Sequence, residues 1–214
     1  MADEKSILRG IVGRARAAMA ADRARILSDI IARAVLAWDV YHRADSIVLY
    51  APLGREVRTD AIRDAGFRDG KAVYYPKIVA DGITMGIVRI SEASRFEQGT
   101  LGAPEPAGGE LIDLATLADT DTLIIVPGVV FSPAGDRIGR GGGHYDRFLA
   151  GAPRRATTAG LSYGFQLLDH VPRGGHDRRV DFIVSEFAIH RAGVEAPTPA
   201  RNTADQGGTP RWTY

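Results

Sequence analysis

Apolar residues along the first part of the chain recur three and four apart. From Glu4 to Met19, the positions Ile7, Leu8, Ile11, Val12, Ala15, Ala18 and Met19 keep the period of an amphipathic helix. Lys5 and Arg9 stand one turn apart on its polar side. A second helical pattern covers Asp22 to Asp39, with Ile26, Ile30, Ile31, Ala34, Val35 and Trp38 inward. The period then changes. Ser46 to Tyr50 reads as a strand, Ala51-Pro52-Leu53-Gly54 as a turn, and Glu56-Val57-Arg58-Thr59 opens a third helix running to about Ala65. Ala72 to Tyr75 is an apolar run ended by Pro76, and Ile83 to Ile90 alternates like a strand with one wet face. Ser91 to Glu110, with Pro104-Glu105-Pro106, reads as loop, and strands return at Thr122 to Val126, Thr157 to Leu161 and Val180 to Val184.

Strands separated by helical segments predict an α/β fold: an open, partly parallel sheet flanked by helices in a Rossmann-like three-layer single domain over residues 1–192. From Gly193 onward the composition is rich in Pro, Gly and Thr without periodicity, which predicts a disordered tail over residues 193–214.

The segment from Val126 to Leu149 changes this from a fold to a site. Leu123 to Val126 has the composition of a strand buried on both faces, and Pro127-Gly128 ends it. Gly135, Gly139 and Gly141-Gly142-Gly143 remove side chains and admit positive φ, so backbone N–H groups can converge on an anion. Arg137 and Arg140 add forked donors that match phosphate oxygens. Tyr145, Phe148 and Leu149 are the apolar positions of a following helix, whose first turn carries Asp146. Two common nucleotide loops are excluded by spacing. A Walker loop starting at Gly135 would need Gly at 140, where Arg stands, and a dinucleotide fingerprint starting at Gly139 would need Gly at 144, where His stands.

Composition narrows the chemistry. The 214 residues include no cysteine, which excludes disulfides, thiolate metal sites and a cysteine nucleophile. With 27 basic and 26 acidic residues the net charge is +1, which lacks the field of a nucleic-acid binder. No stretch has the apolar length of a membrane span and the acidic start lacks a signal-peptide core. The expectation is a cytoplasmic monomer that takes a small-molecule substrate and engages neither nucleic acid nor membrane.

Several motifs, in order, resemble the 5-formyltetrahydrofolate cyclo-ligase (methenyltetrahydrofolate synthetase) family. Lys5-Ser6-Ile7-Leu8-Arg9 resembles its opening Lys-x-x-Leu-Arg helix and Glu56-Val57-Arg58-Thr59 its Glu-Val-x-Thr. Tyr75-Pro76-Lys77 resembles its Pro-ended strand, Gly102 to Pro106 its Gly-Ile-x-Glu-Pro loop, and Pro127 to Leu149 its Gly-rich signature. Gln166, Val171-Pro172, His176-Asp177 and Val180-Asp181 are similar to its closing pattern. The resemblance implies an ATP- and magnesium-dependent closure of 5-formyltetrahydrofolate to 5,10-methenyltetrahydrofolate, with release of ADP and phosphate. It implies no protein nucleophile, which suits a site of positioning groups and charge clamps.

Carried onto this chain, the resemblance assigns ATP to Lys5, Arg9, Arg137, Gly139, Arg140, Gly141, Gly142, Gly143, His144 and Tyr145, with Arg140 and Tyr145 nearest the chemistry. It assigns the folate to Glu56, Met85, Leu101, His144 and Tyr145, Glu56 facing the amino-pyrimidine edge of the pterin. Asp146 and Asp177 are the implied magnesium ligands. Read as bare residues, Lys5 and Arg9 make an ordinary wet helix face, Glu56 satisfies a helix N-terminus, and Asp177 is a turn residue after Gly174-Gly175.

The chain departs from the family pattern at His144, where a tyrosine is usual. The substituted ring is one that titrates near neutral pH. Phe131-Ser132 replaces Phe-Asp, and Leu101 replaces an aromatic. These changes fall on the folate side, so two alternatives stay open: an ATP-dependent enzyme acting on another pterin or formamide, and a non-catalytic folate- or nucleotide-binding regulator.

Overall fold

The computed structural model describes residues 2–79 and 81–194. Helices α1 (Ala2–Ala17), α2 (Ala21–Leu36) and the short α3 (Asp39–Arg43) lead into β1 (Ser46–Val48). Helix α4 (Asp60–Arg68) returns the chain to β2 (Ala72–Ile78), which turns back as β3 (Met85–Ile90). A small hairpin, β4 (Phe96–Gln98) with β5 (Pro104–Pro106), precedes β6 (Leu111–Ile112) and the central β7 (Thr122–Val126). After β7 come the paired β8 (Val130–Phe131) and β9 (Arg137–Ile138), helix α5 (His144–Ala150), and strands β10 (Ala156–Leu161), β11 (Phe182–Val184) and β12 (Ile189–Arg191).

Eight strands form one sheet in the order β12-β11-β10-β7-β1-β2-β3-β6. The five from β11 to β2 are parallel, and β12, β3 and β6 add antiparallel edges. Successive residues of the central strands alternate between two cores, which explains their unbroken apolar runs. Ile47, Leu49, Leu123 and Ile125 pack with Ile31, Val35 and Ile62 of α2 and α4. Val48, Ile124 and Val126 face the other way, toward Leu114, Leu117, Phe148 and Leu149. The chain is thus the expected three-layer α/β domain. β1 has β2 on one side and β7 on the other, so the winding direction reverses between β1 and β7, and the crevice beyond their carboxyl ends is where such sheets collect ligands.

Several local expectations give way to this topology. Ile26 and Ile30 are exposed at 52% and 37%, while Ala24, Ser28, Ile31, Ala32 and Val35 form the buried face of α2. Small residues let that face approach closely, and Ser28 Oγ lies 3.1 Å from the Tyr163 hydroxyl. Ile7 and Ile11 of α1 are exposed too, with Val12 inward beside Val129, Val130, Ile138 and Val171.

Pro76 does not end its strand. The last bond between β1 and β2 runs from Leu49 N–H to Tyr74 O, and Pro76, two residues on along that edge of β2, has no N–H to continue. Proline stops the pairing with β1, whereas pairing with β3 continues to Ile78 and Met85. The segment 91–110 contains the β4–β5 hairpin, its prolines tolerated in a two-stranded ribbon. The strand at Ile83 to Ile90 begins at Met85 and is mostly buried rather than alternating. Beyond Val194, the tail foreseen from Gly193 lies outside the described residues.

Candidate active site

The carboxyl ends of β1 and β7 open into a cavity of about 260 Å³. Tyr50, Ala51 and Glu56 enter it from the connection after β1, and Pro127, Gly128 and Val129 from the turn after β7. The β2–β3 ribbon extends past the end of β1 and supplies Pro76, Ile78 and Met85, while Leu101, Ala103, Pro104 and Glu105 reach in from the small hairpin. Lys5 and Arg9 arrive on α1, Asp177 on the loop before β11, and residues 137–146 close the wall. Every residue assigned to ATP, folate or magnesium lines this one cavity. Gly135, read as part of the same anion loop, does not: it turns between β8 and β9, where a Cβ would stand 2.4 Å from Val180 O.

The glycine segment has the freedom foreseen for it where the backbone needs it. Gly141 and Gly143 adopt φ of +109° and +66°, the second immediately before α5. Gly139 and Gly142 serve by lacking a side chain: a Cβ on Gly142 would stand 2.5 Å from His144 Nδ1. The loop is tied to α1 through Arg9, whose Nε donates to Gly139 O at 2.9 Å. His144 Nε2 lies 3.1 Å from Gly82 O in the β2–β3 turn, so the imidazole bridges the glycine loop and the ribbon opposite.

Three cation–carboxylate pairs cross the cavity. Lys5 Nζ donates to Asp177 Oδ2, which also accepts the Gly174 N–H, so Asp177 is both the turn residue and a cavity residue. Burial alone would raise the Asp177 pKa, but the Lys5 and Gly174 hydrogen bonds, with the charges of Lys5 and Arg137, hold it below its ordinary value of 3.8. Arg137 Nη2 donates to Asp146 Oδ1 at 2.9 Å, and the same oxygen accepts the Arg178 N–H at 3.0 Å. Burial pushes the Arg137 guanidinium down from its usual range, against the opposing pull of Asp146. Its Nε is buried and, among the described residues, has no hydrogen-bond partner. Arg140 Nη2 donates to Glu56 Oε1 at 2.8 Å.

Glu56 is held on a braced loop. Its Oε2 accepts the Leu53 N–H at 2.9 Å, and the loop backbone is fixed by Tyr50 Oη donating to Val57 O at 2.7 Å and Thr59 Oγ1 donating to Tyr50 O at 2.8 Å. It does not open α4, which starts at Asp60. Burial drives the Tyr145 phenol well above its ordinary pKa, keeping it neutral.

The sequence reading passed over Tyr50, Arg16 and Glu105. Arg16 follows Lys5 and Arg9 on the same face of α1 and places Nη2 3.6 Å from Glu56 Oε1. Its spacing was the available signal. Glu105 is buried in the cavity wall, where Oε2 accepts the Ile78 N–H at 3.3 Å, taking a donor that β1 leaves free. The available signal was its place as the Glu of the Gly-Ile-x-Glu-Pro resemblance.

One end of the cavity is therefore cationic and glycine-lined, the other apolar with buried carboxylates. The two candidate metal ligands, Asp146 and Asp177, each contact a cation, and no group of three or more His, Cys, Asp or Glu side chains gathers among the described residues. Such a pair fits Mg2+, which needs only one or two protein carboxylates beside phosphate oxygens, and does not fit an all-protein metal cage.

A family model described as 5-formyltetrahydrofolate cyclo-ligase matches residues 1–186. The chain belongs to the 5-formyltetrahydrofolate cyclo-ligase family. Among its curated relatives, the 5-formyltetrahydrofolate cyclo-ligase of Mus musculus is 27% identical over 180 residues, covering 81% of this chain and 88% of the relative. That of Mycolicibacterium smegmatis is 31% identical over 136 residues, 62% of this chain and 69% of the relative. The NMR structure of Aquifex aeolicus 5,10-methenyltetrahydrofolate synthetase superposes with a TM-score of 0.77 at 27% identity, over 94% of this chain and 99% of that one. The synthetase structure from Mycoplasma pneumoniae shares the fold, with a TM-score of 0.66 at 23% identity over 86% of this chain and 99% of that one. Of the three departures expected on the folate side, two reach the cavity and one does not. His144 and Leu101 are in the wall, and Ser132 sits in the β8–β9 turn, where its Oγ accepts the Asp136 N–H at 3.2 Å.

Proposed function

We propose that this cavity carries out the ATP-dependent cyclisation of 5-formyltetrahydrofolate to 5,10-methenyltetrahydrofolate, with release of ADP and phosphate. The observation that carries the reading is the gathering of Lys5, Arg9, Arg137, Arg140 and the side-chain-free turn at 139–143 in the same crevice as Glu56 and the apolar wall of Met85, Leu101 and Pro76.

Closing the ring removes the formyl oxygen, a poor leaving group until it carries a phosphoryl group. The formyl oxygen takes the γ-phosphoryl of ATP and ADP departs. The neighbouring nitrogen then attacks the activated carbon, loses its proton, and phosphate leaves with the oxygen. This chemistry asks for alignment and charge stabilisation and for no protein nucleophile. Lys5, Arg9 and Arg140 hold the phosphates, Arg137 adds a charge that cannot be lost at physiological pH, and the backbone at 139–143 lets them approach closely. Glu56 accepts hydrogen bonds from the pterin edge, Met85 and Leu101 flank its faces, and the neutral Tyr145 phenol is a donor beside the reacting atoms. Asp146 and Asp177 would hold Mg2+, which when bound screens the triphosphate and polarises the γ-phosphoryl group.

No helix among the described residues is long and apolar enough to cross a membrane. We place the enzyme in the cytoplasm as a monomer, although one relative, from Arabidopsis thaliana, is named as mitochondrial.

The test is direct. Purified protein with ATP, magnesium and 5-formyltetrahydrofolate should generate the ultraviolet absorbance of the methenyl product in an ATP-dependent way. ATP turnover only with a different formamide or pterin would move the reading to another substrate. Binding without turnover would make the protein a regulator.

A further inference from the structure

Glu56 is the most heavily contested group in the cavity. It is 6% exposed, and two guanidiniums address the same oxygen: Arg140 at 2.8 Å and Arg16 at 3.6 Å. The two cations differ in freedom. Arg140 is 42% exposed and belongs to the glycine loop. Arg16 is 13% exposed, does not line the cavity, and is anchored by Nη1 donating to Gly128 O at 3.2 Å.

We propose that Arg16 is a positioning residue that keeps Glu56 charge-compensated while Arg140 exchanges it for the phosphates of the nucleotide. The inference rests on the reading of Arg140 as a phosphate ligand. Arg140 is bound to Glu56, so a nucleotide must compete with a carboxylate for it. Taking Arg140 away, with only the Leu53 N–H left on Oε2, would leave a buried carboxylate without a counter-charge, a costly state in a low-dielectric wall. Arg16 removes that cost, because it stays on Gly128 and neutralises Glu56 from behind. The same exchange uncovers Glu56 Oε1 toward the cavity, where the pterin donors arrive. Nucleotide and folate are therefore coupled through one oxygen, and by linkage each should raise the affinity of the other by the same factor.

The coupling predicts an unusual set of affinities for a nucleotide alone. Binding of adenylyl imidodiphosphate with magnesium is measured by calorimetry in the wild type, Glu56→Gln, Arg16→Met and the double variant. Glu56→Gln should bind the analogue more tightly than wild type, because a neutral amide holds Arg140 less firmly. Arg16→Met should bind it roughly tenfold more weakly, the scale of one lost charge-assisted bond, although Arg16 is outside the cavity. The double variant should regain the affinity of Glu56→Gln, since an amide needs no counter-charge. Arg16→Lys keeps the charge and should bind within a few-fold of wild type, which distinguishes compensation from a packing role.

Equal affinities in all four proteins would overturn the exchange while leaving the nucleotide site intact. So would a loss in Arg16→Met that persists in the double variant. No binding by the wild type would overturn the nucleotide reading itself. If Arg16→Met does not fold, Glu56→Gln alone decides: unchanged or weaker nucleotide binding refutes the proposal.

Discussion

Arg140 and Glu56 meet across the cavity at 2.8 Å, joining the glycine loop to the connection after β1. Each is the partner the other must give up when a ligand enters. Replacing Arg140 by alanine should raise KM for ATP and lower kcat, together about 1.5–3 kcal/mol in kcat/KM, the worth of a charge-assisted hydrogen bond. Glu56→Ala should act mainly on KM for the folate. Steady-state kinetics with each substrate varied in turn separates the two. Unchanged ATP kinetics in Arg140→Ala would remove Arg140 from the phosphate site.

Phe131 lies wedged between two glycines. A Cβ on Gly128 would come within 2.4 Å of its ring, and one on Gly160 within 2.3 Å. The ring is fully buried and cannot retreat. Gly128→Ala should therefore cost about 1–3 kcal/mol of stability, read as a lower midpoint in urea, and should also disturb the carbonyl that anchors Arg16. A midpoint equal to wild type would show that the turn after β7 adjusts freely.

The Lys5–Asp177 pair ties α1 to the loop before β11. Because the folded-state pKa of Asp177 is lowered from 3.8, its contribution is fully present above that value and is lost as pH falls through the lower, folded one. Asp177→Asn should narrow the stability difference between neutral and acid pH on the acid side alone. Denaturant titrations of both proteins at pH 7 and near pH 3 would expose the change. Parallel pH dependences would mean that the pair adds nothing to folding.

His144 approaches the Gly82 carbonyl with Nε2, an atom that bears a proton in the imidazolium and in one neutral tautomer. His144→Phe removes this contact and should raise KM for the folate several-fold, because the imidazole holds the glycine loop against the β2–β3 turn. An unchanged KM would show that the imidazole has no part in substrate binding.

How much of this was readable in advance follows from how local each feature is. The glycine-rich wall of the cavity was legible because its glycines, arginines and following helix lie within one short run whose spacing excludes two common nucleotide loops. The three-layer sheet was legible from the alternation of Leu123 to Val126 and its neighbours with helical segments. Arg16 and Glu105 carried a signal each, a helical spacing and a Glu-Pro motif, but neither signal says what the side chain touches. Their roles come from the sheet order, which carries α1 to Gly128 and brings the small hairpin to the end of β2. Ile26 and Ile30 misled because two helical stripes on α2 are both apolar, and only the small residues Ala24 and Ser28 allow close packing. Pro76 misled because a proline ends pairing along one edge of a strand, not along both.

Helix α1 completes the cavity, yet its hydrophobic anchorage is to Val129, Val130, Ile138 and Val171, and its salt link is to Asp177. Helix α1 thus waits for segments that are synthesised long after it. Until then Lys5 and Arg9 have no partners, while β1, β2 and β7 can already pair with one another. Such long sequence separations slow folding, and a growing chain would hold a substantial part of its central sheet well before its cavity had all its walls.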